Sequence, residues 1–512
     1  MYSKIDWVIL AKKIVYGCAV LWLSFLFVVS LIYSSDGYEQ SVNIRQTCLT
    51  ILCGGIVLIL FLLLARCLEK LPEGLRIAGA VLLGISIVSF SAWWIVNSAY
   101  LPKSDAESVY DIAMRAKNHD LLPFAPTGSY MSLWPYQAGL VMFTEIILRA
   151  IPNADEMTIQ WMYLPFVALA LVSGYMLVRR LFANGQTRVL WCLLMVFCLP
   201  FYFYVNNMYG TVPALAGTLF VFWMLTEYIH RNSIAALVLA GIGMTGTVGI
   251  RKNELIFVIA CILVLGTMFL ARREKKLLLM AVVLILASVA GNVVPRAFYE
   301  YRAKNTMGEG IPAISFIAMG LQWEEGRGHG GWNGYHSDLF MACDYDGEEA
   351  ARISAESIRD SLKYMAENPA YAVSFFYYKL SEQWTREDYS SLYSTLSHYA
   401  DRSPTAWEIY QGKWLGPLML VMAVHQSLVY FGACCFCVSA IIRWKKQKNS
   451  SDIWRLIPLV TFIGGFLFSI IWEAGSRYVL PYVILLIPYA AEGFAELGAA
   501  ARKLWKTAVK EA

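Results

Sequence analysis

Three groups of charged residues in this chain are of a type and spacing that could do chemistry. The stretch Leu101–Asp111 carries Asp105 and Glu107 in a D-x-E spacing just beyond an apolar run. Two carboxylates this close can share a metal ion, or one can take a proton while the other orients it. Ordinary solvated loop acids are the plainer reading. Arg251 and Lys252 stand in a polar break between two apolar runs. A cation at the centre of a bilayer helix costs about 2.5–3.5 kcal/mol on insertion scales, and less near the interface. A lipid-linked phosphate would compensate the pair, whereas snorkelling to headgroups needs no ligand. Arg477-Tyr478, preceded by Glu473, reads either as a further phosphate contact or as an i,i+4 ion pair that steadies a turn.

A fourth segment, Gly328-His329-Gly-Gly-Trp332-Asn333-Gly-Tyr-His336, combines aromatic faces, polar groups and free backbone. That mixture suits a sugar, although a Gly-rich aromatic loop is weak evidence alone. His329 and His336 have no acidic or Cys ligand at a recognised metal-site offset. The chain carries no Walker A loop, no dinucleotide fingerprint and no G-x-S-x-G elbow, so ATP-driven transport and serine-hydrolase chemistry lose their usual support.

The elements that must hold these residues are membrane helices. Over 512 residues, 58% are apolar and only 15% charged, which excludes a soluble globular, disordered, fibrous or nucleic-acid-binding protein. A spanning helix needs about 20 apolar residues. Twelve segments qualify, at about 14–33, 47–65, 77–96, 157–178, 188–205, 208–228, 233–250, 254–271, 277–295, 414–441, 454–472 and 479–498. Basic residues follow alternate spans: Arg66, Lys70 and Arg76; Arg179, Arg180 and Arg188; Arg272, Arg273, Lys275 and Lys276; Arg443, Lys445, Lys446 and Lys448. Lys4, Lys12 and Lys13 precede the first span, and Arg502, Lys503, Lys506 and Lys510 follow the last. If spans alternate, every cluster falls on one face, which the positive-inside rule makes cytoplasmic. The expectation is a multi-pass cell-membrane protein with both termini cytoplasmic. No small-residue cleavage pattern follows the first apolar run, which reads as a retained anchor. Nearly all of the eleven Cys lie in apolar runs and read as packing residues.

Four regions follow: 1–76 with two N-terminal spans, 77–295 as a transmembrane core that includes an outer loop at 97–156, 296–413 as an extracytoplasmic domain, and 414–512 with three C-terminal spans and a tail. Residues 136–150 are too short to span and read as an interfacial or re-entrant helix. The run 233–271 is too long for one span, and its polar break Arg251–Glu254 makes it a hairpin with an outer tip. Glu348–Asn368 has helical periodicity ended by Pro369. Gly326–Gly334 can only be a loop.

The order of these pieces resembles the GT-C superfamily of polytopic glycosyltransferases, most of all Gram-positive members distantly similar to protein mannosyltransferases and lipid A aminoarabinose transferases. The motifs that carry the resemblance are short and spread over the chain after about residue 77. They are Ser104-Asp105-Ala-Glu107, Trp134-Pro-Tyr136-Gln137, Gly249-Ile-Arg251-Lys252-Asn253, Met319-Gly320 with Gly330-Gly-Trp332-Asn333, Lys379 through Trp384, and Glu473-Ala-Gly-Ser-Arg477-Tyr478. The first two spans look like an addition. Where many relatives place a second acid near Tyr209-Gly210, this chain has Thr211, which leaves more weight on Asp105, with neighbouring Glu107 standing in for the missing acid.

The resemblance implies an all-α polytopic membrane protein of about 12 transmembrane helices, with interfacial helices in the first large outer loop and a mostly helical extracytoplasmic domain between spans 9 and 10. It implies transfer of a sugar from a polyprenyl-phosphate donor to an extracytoplasmic glycan, lipid or protein acceptor at a cell envelope. Asp105 and Glu107 would be catalytic, Arg251, Lys252 and Arg477 would hold the donor phosphate, and Tyr136, Gln137, Trp332, Asn333 and Tyr478 would bind substrate. A divalent metal ion is left open, and membrane lipids are the expected surroundings. The alternatives are a lipid-linked polysaccharide polymerase or ligase, working from His329, His336 or Arg477, and a lipid or solute transporter with charges mid-span.

Overall fold

A computed structural model describes residues 7–35, 42–396, 403–444 and 450–511. Lys4, Lys445, Lys446 and Lys448 of the expected basic clusters lie outside the described residues. The protein is an all-α polytopic membrane protein. Among the described residues strands are confined to two small antiparallel ladders, Tyr33–Ser35 with Val42–Ile44 and Trp323–Glu324 with Gly328–His329. The second ladder folds part of the expected Gly326–Gly334 loop into a hairpin.

All twelve apolar segments form helices, but not all twelve are full spans. Ten described helices are long and apolar enough to cross a membrane. Gly185–Val196 and Leu199–Asn206 bend by 51° at their junction. Pro200 sits in the first turn after that junction, where the ring removes an N–H and resists a continuous helix. Ile234–Ile250 has only 17 residues, about 26 Å at 1.5 Å per residue, and falls short of a full crossing.

The basic residues that follow alternate spans meet at one end of the bundle. Arg179 and Arg188 both reach Glu73, Arg180 and Arg231 reach Glu227, Lys276 bonds Asn232, and Arg443 pairs with Glu496. Helices therefore alternate as the charge pattern requires.

The segment Ala138–Ala150 is a 13-residue helix, too short to span. Its inner face is buried, and Glu145 on that face accepts from Tyr299 (2.6 Å), Arg302 (2.8 Å) and Arg149 (2.8 Å). This knot ties the short helix to the span Lys275–Ala303. Gly139 then lets backbones touch: a Cβ there would lie 2.0 Å from the Gly249 carbonyl oxygen.

Within 296–413, only part packs apart from the bundle. Ile311, Phe316, Phe340 and Ala350 form a small separate core. The helix Gly347–Glu367 ends before Pro369, which opens Pro369–Trp384. From Lys379 onward the chain re-enters the main core: Leu380, Trp384, Tyr389 and Leu392 are buried there. With them go Lys379, Glu382, Gln383, Arg386, Glu387 and Asp388, all at most 5% exposed. Each of these six side chains finds a polar partner, as a dry interior demands. Arg386 pairs with Asp388 at 2.6 Å, and Arg45 reaches Glu387 at 2.8 Å. Ser34 donates to Glu387, and Gln426 donates to the Arg386 carbonyl. The N-terminal helix Trp7–Ile32 buries Ala19, Leu23 and Leu26 in the same core, so the first spans are built into the bundle.

Candidate functional site

At the end of the bundle away from the Glu73 and Glu227 arginine network, four elements converge on Asp105. The first is the helix Asp105–Lys117 itself. Ser104, just before it, holds φ +54°, a region that non-glycine residues rarely occupy. Lys103 secures the loop by donating to the carbonyls of Tyr393 (3.1 Å) and Leu396 (2.8 Å).

The second element is Tyr130–Gln137, leading into the short helix. Tyr130 donates its phenol to Asp105 Oδ1 at 3.2 Å. Gln137 donates to the Tyr209 hydroxyl. Tyr209 belongs to the third element, the turn before the span Thr211–Arg231. Gly210 makes that turn with φ +77° and donates its N–H to the Tyr163 hydroxyl at 3.1 Å. Tyr130, Tyr136 and Tyr209 all titrate well above the usual phenol range, first because burial disfavours the phenolate and then because negative charge, including that of Asp105, lies near. They are neutral donors.

The fourth element pairs the Arg251 tip with Glu473–Tyr478. Arg251 is extended at the end of Ile234–Ile250, and Lys252–Glu254 forms a single 3-10 turn before the next span, as the polar break predicts. Arg251 donates to the Thr211 hydroxyl and, at 3.4 Å, to the Arg477 carbonyl; its guanidinium lies 5.9 Å from the Tyr478 ring. Lys252 Nζ lies 5.4 Å from the Tyr136 ring. Arg477 donates to the Tyr478 hydroxyl at 3.0 Å and faces Glu473 at 3.6 Å. The Tyr478 oxygen most of all, and then Glu473 and Asp105 against the opposing effect of burial, keep Arg477 firmly charged. Among the described residues neither Arg251 nor Lys252 forms an ion pair with a carboxylate. The acid of the tip, Glu254, is buried and accepts from Thr218 at 2.7 Å.

The structure thus brings Asp105, Tyr136, Gln137, Arg251, Lys252, Arg477 and Tyr478 together. Glu107 is not among them. Two residues along a helix are about 200° apart, and Glu107 is exposed on the other side. Trp332 is 47% exposed beneath Arg327, and Asn333 bonds Gln322 and the Tyr335 N–H. Their loop is clamped beside the site, because the Gly330 carbonyl accepts from Ala474 N at 2.7 Å. Among the described residues neither side chain bonds the Asp105 cluster.

His336 stacks edge-on against Trp134 and Phe316, and burial pushes it down to about 4. His329 bonds Glu382 at 3.0 Å. For a divalent ion the donor set is thin: Asp105 and Glu107 diverge, Glu473 faces Arg477, and among the described residues no three His, Cys, Asp or Glu side chains gather.

Residues to which the motifs assign no role complete the arrangement. Tyr130 and Tyr209 flank Asp105. Lys379 is buried and donates to the carbonyls of Gly320 and, at 2.8 Å, Trp472; burial, opposed by Glu473, brings it down to about 7. Ser390 bonds Ser476 at 2.7 Å, so the buried polar segment fixes the backbone beside Arg477. Tyr209 had a faint signal, a polar turn on the same side as Asp105.

No curated protein and no solved structure matches the chain. A family model does, over residues 13–493. With fold and match in agreement, the chain belongs to the family described as conserved hypothetical integral membrane protein.

Proposed function

We propose that the protein is a membrane glycosyltransferase that moves a sugar from a polyprenyl-phosphate donor to a glycan, lipid or protein acceptor outside the cytoplasm. The observation that carries this reading is a carboxylate, Asp105, gathered with Arg477 and with two cations, Arg251 and Lys252, that form no ion pair within 4 Å among the described residues. A cationic cluster at the end of a membrane bundle favours an anionic headgroup. The arginine-rich opposite end favours the cytoplasm by the positive-inside rule, which would turn the cluster outward.

In the proposed reaction the acceptor hydroxyl gives its proton to Asp105. The freed oxygen attacks the anomeric carbon, and the bond from that carbon to the phosphate oxygen breaks. The electron pair leaves with the phosphate, where Arg251, Lys252 and Arg477 hold the added charge. Direct displacement inverts the anomeric centre. Base assistance is worth about 10²–10⁴ in rate. Tyr130 keeps the Asp105 carboxylate oriented, and the neutral phenols of Tyr136 and Tyr209 can bond sugar hydroxyls.

The test is initial-rate assay of purified protein with a radiolabelled polyprenyl-phosphate hexose and extracted envelope acceptors. Asp105→Asn is expected to abolish transfer with unchanged elution and melting behaviour. Full transfer by that variant would overturn the assignment.

A further inference from the structure

The opposite end of the bundle carries a second feature, independent of the proposed transfer site. A cavity of about 340 Å³ lies between the Leu68–Arg76 connection, the following helix Glu73–Ser98, and the helices that carry Tyr175 and Gly185–Cys192. Its lining runs from Glu73 to Ser86 along one helix, about 20 Å at 1.5 Å per residue. Leu75, Leu82, Leu83, Val189 and Cys192 make its walls apolar. Leu75 and Leu82 are also 58% and 64% exposed, so the cavity opens toward lipid. Gly79 sits in its lining, and a Cβ there would meet nothing within 4 Å.

The mouth is cationic. Arg179 and Arg188 share the single carboxylate of Glu73, at 3.4 Å and 3.5 Å. Glu69, the other acid nearby, is engaged by Gln186 at 2.6 Å. Arg76 forms no ion pair among the described residues, and its buried Nε has no hydrogen-bond partner there. An apolar channel of acyl-chain dimensions, headed at the helix start by a guanidinium that forms no ion pair among the described residues, suits a phospholipid with a net negative head. A zwitterionic lipid would bring its own cation into the same arginine cluster. We infer that this cavity binds one anionic glycerophospholipid, with an acyl chain along Gly79 and the phosphate at Arg76.

The experiment uses the intact chain in detergent, titrated by native mass spectrometry with phosphatidylglycerol and, separately, with phosphatidylcholine of the same acyl chains. One phosphatidylglycerol should bind per chain, at least about tenfold more tightly than phosphatidylcholine. Arg76→Gln should erase that preference while Arg76→Lys keeps part of it. Gly79→Phe should fill the channel and remove the bound copy of either lipid. Millimolar inorganic phosphate should leave the phosphatidylglycerol in place. Equal binding of the two lipids, an undiminished preference in Arg76→Gln, undiminished binding in Gly79→Phe, or displacement by phosphate would each overturn the inference. Monodisperse elution of each variant separates loss of the site from loss of the fold, and the arginine and glycine variants test it from different sides.

Discussion

The phenol of Tyr130 donates to Asp105 Oδ1 at 3.2 Å, so the carboxylate assigned as base is oriented by a neutral donor. A hydrogen bond to a charged group contributes about 1.5–3 kcal/mol. On the proposed reaction, Tyr130→Phe should lower kcat about 10- to 100-fold with little change in donor KM. Steady-state rates check this. An unchanged kcat would remove Tyr130 from the mechanism.

Arg251 rests on neutral partners, the Thr211 hydroxyl and the Arg477 carbonyl, so its charge is available. Arg251→Ala should raise the donor KM about tenfold or more and leave the acceptor KM within about twofold, with Arg251→Lys in between. Separate donor and acceptor titrations decide the point. Superimposable donor curves for variant and parent would refute donor-phosphate binding.

Gly139 packs against the Gly249 backbone, two residues before Arg251. Gly139→Ala must push the short helix from the tip, because the added methyl would meet a carbonyl rather than a yielding side chain. A loss near the upper end of the usual 1–3 kcal/mol for overpacking is expected, about 3 kcal/mol. A melting temperature in detergent equal to that of the parent would contradict the close approach.

His336 provides a pH test. Burial among Trp134 and Phe316 pushes it down to about 4 from an unfolded value of 6.5, while Asp338 and Asp105 pull the other way. Falling pH then protonates the unfolded chain first. The stability contributed by the neutral ring is complete above pH 6.5 and is lost between about 6.5 and 4, up to about 3 kcal/mol. His336→Phe should flatten that part of the stability profile. An equally steep acid limb in the variant would assign the loss to other groups.

Much of the frame was legible because bilayer physics writes itself into composition. Twelve apolar segments became helices, and the polar tip at Arg251 and the stop at Pro369 fell where charge and proline demand. The helix Gly185–Asn206 bent because a proline interrupts an otherwise adequate apolar run. Glu107 parts from Asp105 for a specific reason: D-x-E pairs two acids in an extended loop but separates them once Asp105 begins a helix. Tyr130 and Tyr209 were hidden among 30 tyrosines, since only their distance to Asp105 distinguishes them. The segment from Lys379 to Asp388 fell within the stretch assigned to an extracytoplasmic domain, and its burial in the main core depends on partners such as Arg45, more than three hundred residues away.

Arg45 and Glu387 are 342 residues apart in sequence and share a buried ion pair at 2.8 Å. Removing one partner of such a pair typically costs about 3–5 kcal/mol, while replacing both with apolar residues can be neutral. Arg45→Met should therefore lower the melting temperature by several degrees, and Arg45→Met with Glu387→Leu should recover most of it. An additive double variant would deny the coupling.

That same pairing has a consequence for biogenesis. Synthesis runs from the N-terminus, so Arg45 leaves the ribosome long before its counter-charge exists and must wait hydrated at the membrane surface. The N-terminal hairpin can latch only when the late Glu387 segment arrives, which makes closure of the bundle one of the last events of insertion. A nascent chain halted before that segment would hold its early helices without their lock, exposed to quality-control proteases.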